Sequence, residues 1–319
     1  MLAFLAIVAV GALAAKPIHS HNDYLQAVPF WTAFNLSIMS VEADVWWQSN
    51  QLFVAHTSGE ISSSRTLQSL YLNPILGIIN GSIPVASNRI SPSNPFQLLI
   101  DMKSSGASTY QPVVDALSAL RAGGHLTTYH AATKTLKQGA VTVVGTGNTP
   151  LASVLAQSPR DVFFDADIRT LFSSRPVPTG SALWGPEVAP LASVDWSSVS
   201  NTAQMAQLVL NAHDLGIRTR FWDTPSSVST WNTFWAAGSD WVNADSLKAV
   251  SDAWAAFDSA LAPTVYSFTG LGAGQQDVLS TRPEEEEGGR RAVRRWDSED
   301  IPRCIWMCPG PALISRNLG

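Results

Sequence analysis

Between residues 16 and 262, short apolar runs alternate with stretches of helical spacing, and the apolar runs end in charged or polar side chains. The central run is Ile38-Met39-Ser40-Val41-Glu42-Ala43-Asp44-Val45-Trp46. Residues i and i+2 of a strand share a face and lie about 6.5–7 Å apart, so Glu42 and Asp44 project together. Two carboxylates on a buried face repel each other, and each costs several kcal/mol unless compensated. A hard divalent cation is one compensation. A proton, or an ion pair with Lys103, is the other. His19-Ser20-His21 and Asp101-Met102-Lys103 repeat the two-residue spacing at the ends of their own apolar runs.

The periodicities predict strands over 17–21, 38–46, 96–101, 139–144, 161–165, 217–223 and 240–245. A return strand is expected over 51–56, after a turn at Asn50. Helices are expected over 27–38, 66–79, 110–121, 202–215, 228–237 and 247–261, the third stopped by Gly123-Gly124. The stretch 171–200, rich in Pro and Ser, reads as irregular. This repeat and length fit an α/β chain folded as a (β/α)8 TIM-type barrel, whose functional side chains sit at the C-terminal ends of its strands. The competing open doubly wound sheet would carry a Gly-rich fingerprint after its first strand, and none is present.

The barrel is expected over 16–262. Residues 1–15 form an uncharged apolar block ending in Ala12-Leu13-Ala14, which reads as a signal peptide lacking a basic n-region. The mature chain is then expected to be secreted or in the secretory pathway, without a transmembrane segment. Residues 263–319, with Glu284 to Glu287 followed by paired arginines, read as a disordered tail. Both cysteines, Cys304 and Cys308, lie in that tail, so the barrel has no disulfide framework and no thiolate metal site. Asn35-Leu36-Ser37 and Asn80-Gly81-Ser82 have the form of glycosylation acceptors. A net charge of -5 with 14% charged residues gives no sign of a nucleic-acid partner.

Four motifs in order carry a resemblance: His19-Ser20-His21-Asn22-Asp23-Tyr24, Val41-Glu42-Ala43-Asp44-Val45, Leu52-Phe53-Val54-Ala55-His56 and Leu99-Ile100-Asp101-Met102-Lys103. Together they resemble the phospholipase-C-like phosphodiesterases, a superfamily that includes glycerophosphodiester phosphodiesterases and sphingomyelinase-D-type enzymes. Within it the chain is most similar to the fungal group called altered inheritance of mitochondria protein 6. Gly147-Asn148, Phe221-Trp222-Asp223-Thr224-Pro225 and the stretch 238–245 agree with that group.

The resemblance implies a barrel with one divalent cation, Mg²⁺, with Ca²⁺ or Mn²⁺ as alternatives, and a phospholipid or other phosphodiester as substrate. It carries Glu42, Asp44 and Asp101 over as metal carboxylates and Lys103 as a phosphate contact. His56 and a histidine at the end of strand one become the acid/base pair. His21 is favoured as that histidine because Asn22 follows it, with His19 beside it as a neighbour or phosphate contact; the reverse assignment stays open. Asn22, Asp23, Trp222 and Asn243 are candidate substrate contacts. An imidazole titrating near pKa ~6.5 suits proton transfer near neutral pH.

Two departures limit the transfer of substrate. No Pro-Glu-Asn-Thr motif supplies a further metal carboxylate, a place that Asn22 or Asp23 is left to take. No cysteine lies near His56 to close a catalytic loop. Two other readings compete: a zinc amidohydrolase-type enzyme, which needs further histidines on later strands, and a degenerate barrel that binds a lipid or sugar. Asp165 and Asp167 repeat the two-residue spacing but receive no role. Gly145 and Gly147 fit either a tight turn or a close backbone approach to a ligand.

Overall fold

The computed structural model describes residues 15–86, 88–171 and 184–261. The expectations for the leader, and for the tail with Cys304 and Cys308, lie outside the described residues. Eight parallel strands form the centre: β1 (Ile18–Ser20), β2 (Ser40–Gln48), β3 (Phe96–Met102), β4 (Val141–Gly147), β5 (Val162–Asp167), β6 (Leu191–Asp195), β7 (Arg218–Trp222) and β8 (Trp241–Ala244). Each pairs with the next, and β1 pairs with both β8 and β2, which closes the barrel. The strand Gln51–Val54 folds back antiparallel onto β2 after a turn in which Ser49 and Asn50 take φ of 50° and 57°.

Alternation along each strand divides the chain between two interiors. Val41, Ala43, Val45, Leu98, Ile100, Val141 and Val143 point outward and are fully buried under the surrounding helices. The opposite face lines the barrel. There Leu99, Val144, Leu191 and Trp241 form a separate apolar plug. Each precedes by two residues an inward polar side chain: Asp101, Thr146, Ser193 and Asn243. The polar ring therefore sits one layer above the plug, towards the C-terminal ends of the strands.

Helices form within or close to the expected spans, although the first covers only Trp31–Asn35 and Leu151–Ala156 is a helix that was not expected. Thr202–His213 is opened by Asn201, whose side chain accepts from the Gln204 N–H at 2.9 Å, satisfying one of the free donors of the first turn. Leu247–Leu261 buries Leu247, Val250 and Ala253 on one face. No described helix is long and apolar enough to cross a membrane.

The expectation for 171–200 needs correction: it contains β6 (Leu191–Asp195). Ala192 and Ser193 give this strand little apolar signal of its own, and it forms because β5 and β7 flank it in register. His130 ends the strand Thr128–His130, which pairs antiparallel with Thr135–Lys137. The Thr127 N–H donates to the Val141 carbonyl at 2.7 Å, which places this hairpin at the N-terminal end of β4, away from the functional mouth. His213 is a helix-end residue, 2.8 Å from Asp240 Oδ2.

Candidate functional site at the barrel mouth

Register brings the carboxylates together. Asp44 on β2 lies directly beside Asp101 on β3, and Glu42 lies two residues deeper beside Leu99. One oxygen from each of Glu42, Asp44 and Asp101 falls within 4.8 Å of the others. Asp44 is fully buried, and its two oxygens differ. Oδ2 is met by the Tyr24 hydroxyl at 2.7 Å, Lys103 Nζ at 3.1 Å and His56 Nδ1 at 3.5 Å. Oδ1 is buried with no partner among the described residues. Lys103 also reaches Asp101 Oδ2 at 2.7 Å.

Burial, and then the charges of Glu42 and Asp101, push Asp44 up to about 6 against the pull of Lys103. Burial likewise raises Asp101, again opposed by Lys103. Glu42 goes the other way. Burial opposes its ionisation, but Arg220, His19 and His21 outweigh that and hold it well below the usual carboxylate range.

Gly147, at the end of β4 with φ of +60°, leaves the space that Asp101 uses: a Cβ there would overlap Asp101 Oδ1. Gly147→Ala is therefore expected to lower stability by about 1–3 kcal/mol, from the left-handed backbone together with the displaced carboxylate. Chemical denaturation checks this, and an unchanged midpoint would show that the space is not needed.

The floor beneath the triad holds residues that sequence reasoning passed over. Arg220 on β7, only 3% exposed, places NH1 3.4 Å from Glu42 Oε2 and 3.3 Å from Asn243 Oδ1. Its NH2 lies 3.8 Å from Asp165 Oδ2. Asp165 also accepts from the Ser193 hydroxyl, and burial, offset in part by Arg220, pushes it up to about 6. A signal for Arg220 was present: Arg218 and Arg220 repeat, inside the strand expected over 217–223, the two-residue spacing that singled out Glu42 and Asp44.

The histidines separate by depth. His19 is fully buried, with Nδ1 2.7 Å from Ser40 Oγ and Nε2 3.8 Å from Glu42. Burial lowers it to about 4, so it is neutral at physiological pH. The His21 side chain is 24% exposed; its Nδ1 is 2.9 Å from Asp245 Oδ1 and its Nε2 3.7 Å from Glu42 Oε2. Burial works against its protonation, but Asp245 and Glu42 overcome this and raise its pKa. The His56 side chain, two residues past the return strand, is 53% exposed. Its Nδ1 lies 3.0 Å from the Tyr24 hydroxyl. A cavity of about 300 Å³ opens beside it, lined in part by Leu25, Gln26, His56, Glu60 and Arg65.

The candidate substrate contacts fall into different places. Asn22, in a left-handed conformation, aims its N–H at Glu42 Oε2, 3.4 Å away. Trp222 is 37% exposed at the end of β7. Asn243 is buried against Arg220. Asp23 departs from expectation. It is fully buried, and its carboxylate accepts from the Ser20 hydroxyl (2.7 Å), the Phe30 N–H (2.5 Å) and the Tyr71 hydroxyl (3.1 Å). Those bonds fold the loop after β1 and leave Asp23 outside the triad, neither a substrate contact nor a substitute metal ligand.

The site fits a divalent cation on two observations. The carboxylates of Glu42, Asp44, Asp101 and Asp165 meet two fixed cations, Lys103 and Arg220, so full ionisation leaves two negative charges in surplus. Asp44 Oδ1, buried without a partner, is the kind of atom that a metal satisfies. The donor set is all oxygen, which suits a hard ion.

Residues 9–165 match the model of the AIM6-like phosphodiesterase domain. The altered inheritance of mitochondria protein 6 homolog of Arthroderma benhamiae is 31% identical over 73% of this chain and 82% of its own length. The protein of that name from Eremothecium gossypii is also 31% identical, over 73% of this chain and 68% of its own length. Among solved structures, a glycerophosphodiester phosphodiesterase from Parabacteroides distasonis superposes with a TM-score of 0.44 at 9% identity, covering 76% of this chain and 99% of that one. With its domain match and these relatives, the chain belongs to the AIM6-like phosphodiesterase family.

Proposed function

We propose that this chain is a metal-dependent phosphoric diester hydrolase or lyase acting on a phospholipid or related phosphodiester. The observation that carries the reading is the placement of two solvent-reaching histidines, His21 and His56, on either side of a buried carboxylate triad with Lys103 at its rim. Glu42, Asp44 and Asp101 would hold the ion, for which Mg²⁺ is the first choice. When bound, such an ion polarises phosphoryl oxygens and offsets their charge.

The protein's own groups supply the rest. Lys103 donates to a non-bridging oxygen of the phosphate. One histidine takes the proton of the attacking hydroxyl, and the other gives a proton to the leaving oxygen, so no net proton is lost across the pair. The depth of the histidines supports His21 rather than His19 as the partner of His56. The cavity beside His56 supports a small polar group of the substrate lodging there. The all-oxygen triad disfavours the zinc reading. The apolar leader supports a place in the secretory pathway, where the exposed Asn80-Gly81-Ser82 tripeptide is the better acceptor, since Ser37 of Asn35-Leu36-Ser37 is buried.

The test is product release from bis-p-nitrophenyl phosphate, lysophospholipids, sphingomyelin and glycerophosphocholine, with Mg²⁺ and with EDTA. Turnover is expected to fall at least about a hundredfold in EDTA and to return on adding the ion, since loss of the cation removes several kcal/mol of transition-state stabilisation. Full activity in EDTA would sink the metal role. Silence on every substrate, with metal bound, would favour the lipid- or sugar-binding alternative.

A further inference from the structure

His56 has no carboxylate partner comparable to the Asp245 of His21; its inner ring nitrogen meets a phenol. The Tyr24 hydroxyl stands 3.0 Å from His56 Nδ1, 2.7 Å from Asp44 Oδ2 and 2.7 Å from Asn22 Oδ1. A hydroxyl carries one proton and two lone pairs. The strongest acceptor in reach is the Asp44 carboxylate, whose Oδ2 is also ion-paired to Lys103. Charge-assisted bonds of this kind outweigh bonds to a neutral amide. The Asn22 amide can present either its oxygen or its NH2 to the phenol, so it does not compete for the proton.

With its proton on Asp44, the phenol oxygen offers only lone pairs to His56. We infer that Tyr24 is a positioning residue, which holds neutral His56 as the Nδ1–H tautomer and turns its unprotonated Nε2 towards the mouth. The observed contacts agree: Nδ1 is directed inward to Tyr24, on a side chain that is half exposed. In that form Nε2 is ready to accept a proton from a hydroxyl, and the proton on Nδ1 never leaves. Which nitrogen carries the proton is decided by the bond that the other makes. Asp44 is the rival partner for Nδ1, but at 3.5 Å it lies beyond a good hydrogen bond.

Tyr24 is itself rigidly placed without its hydroxyl. It sits in the turn Asp23–Leu25 and is only 2% exposed. The Asp23 bonds described above hold that turn, and Arg65 donates to the Tyr24 carbonyl. Tyr24→Phe should therefore fold, with its ring in place.

The inference rests on reading His56 as an acid/base group, but its first readout does not. Nitrogen-15 NMR of the histidine rings reports the tautomer, recorded on metal-stripped protein near pH ~8, well above the ordinary range of carboxylates. The wild type is expected to show His56 protonated at Nδ1, and Tyr24→Phe to lose that preference. A wild-type His56 protonated at Nε2 would overturn the inference even if the variant failed to fold. A Tyr24→Phe spectrum identical to wild type would also overturn it, naming Asp44 as the partner instead.

The second readout is kinetic, at saturating Mg²⁺. In Tyr24→Phe, kcat should fall by about tenfold or more with KM little changed, because the phenol makes its bonds to His56, Asp44 and Asn22 and the side chain is almost wholly buried. A shifted tautomer with unchanged kcat would uphold Tyr24 as the residue that orients His56. It would at the same time remove His56 from the proposed chemistry.

Discussion

Arg220→Met is expected to cost about 3–5 kcal/mol of folding free energy, the usual penalty for leaving buried charges without their partner. The guanidinium is enclosed by the barrel and stands between Glu42 and Asp165. Methionine fills similar space, so packing loss is a small part of the expected effect. The electrostatic origin has its own signature. Asp165→Asn, placed in the Arg220→Met background, removes one of the two stranded carboxylates and should restore part of the loss. A double-mutant cycle by chemical denaturation measures that coupling. A divalent cation should also recover more stability in Arg220→Met than in the parent, since it would neutralise the stranded Glu42. A loss below about 1 kcal/mol, the scale of an ordinary surface pair, would show that Arg220 does not hold the floor together.

The second large effect concerns turnover. His56→Ala and His21→Ala should each lower kcat by about 10²–10⁴-fold, the range supplied by a positioned acid or base. Folding stability should change little, because both side chains reach solvent and neither belongs to the apolar core. If both serve one transition state, the double variant should be little worse than either single one. His19→Ala should behave differently. Its ring is wholly enclosed and bonded to Ser40, which in turn accepts from Gln97 at 2.7 Å, so its removal should appear first as lost stability. A His21→Ala protein that turns over normally, beside a folded His19→Ala protein that does not, would reverse the assignment.

These two sets of residues differ in how visible they are in the chain. Glu42, Asp44, Asp101 and Lys103 announce themselves, because a carboxylate at the buried end of an apolar strand has no bland explanation at low cost. Arg220 carries a similar oddity but gains meaning only from Glu42, 178 residues away. Asp165 has no histidine or lysine beside it in sequence, and its partner is again Arg220. Tyr24 reads as one more aromatic residue until the loop after β1 folds over Asp44.

Local periodicity was enough to place seven of the eight barrel strands, most of the helices, the barrel class and the residue types at the strand ends, because alternation and helical spacing are properties of a few neighbouring residues. Barrel closure decided the rest. Closure sets Asp44 beside Asp101 and His19 beside Asn243, and it brings Asp245 to His21 across 224 residues. It also creates β6, a strand too rich in small residues to declare itself. Register in a closed barrel is the joint outcome of every strand pairing and of the common tilt. No single segment encodes it, so the partners that charge and orient the site emerge only when all eight strands are in place.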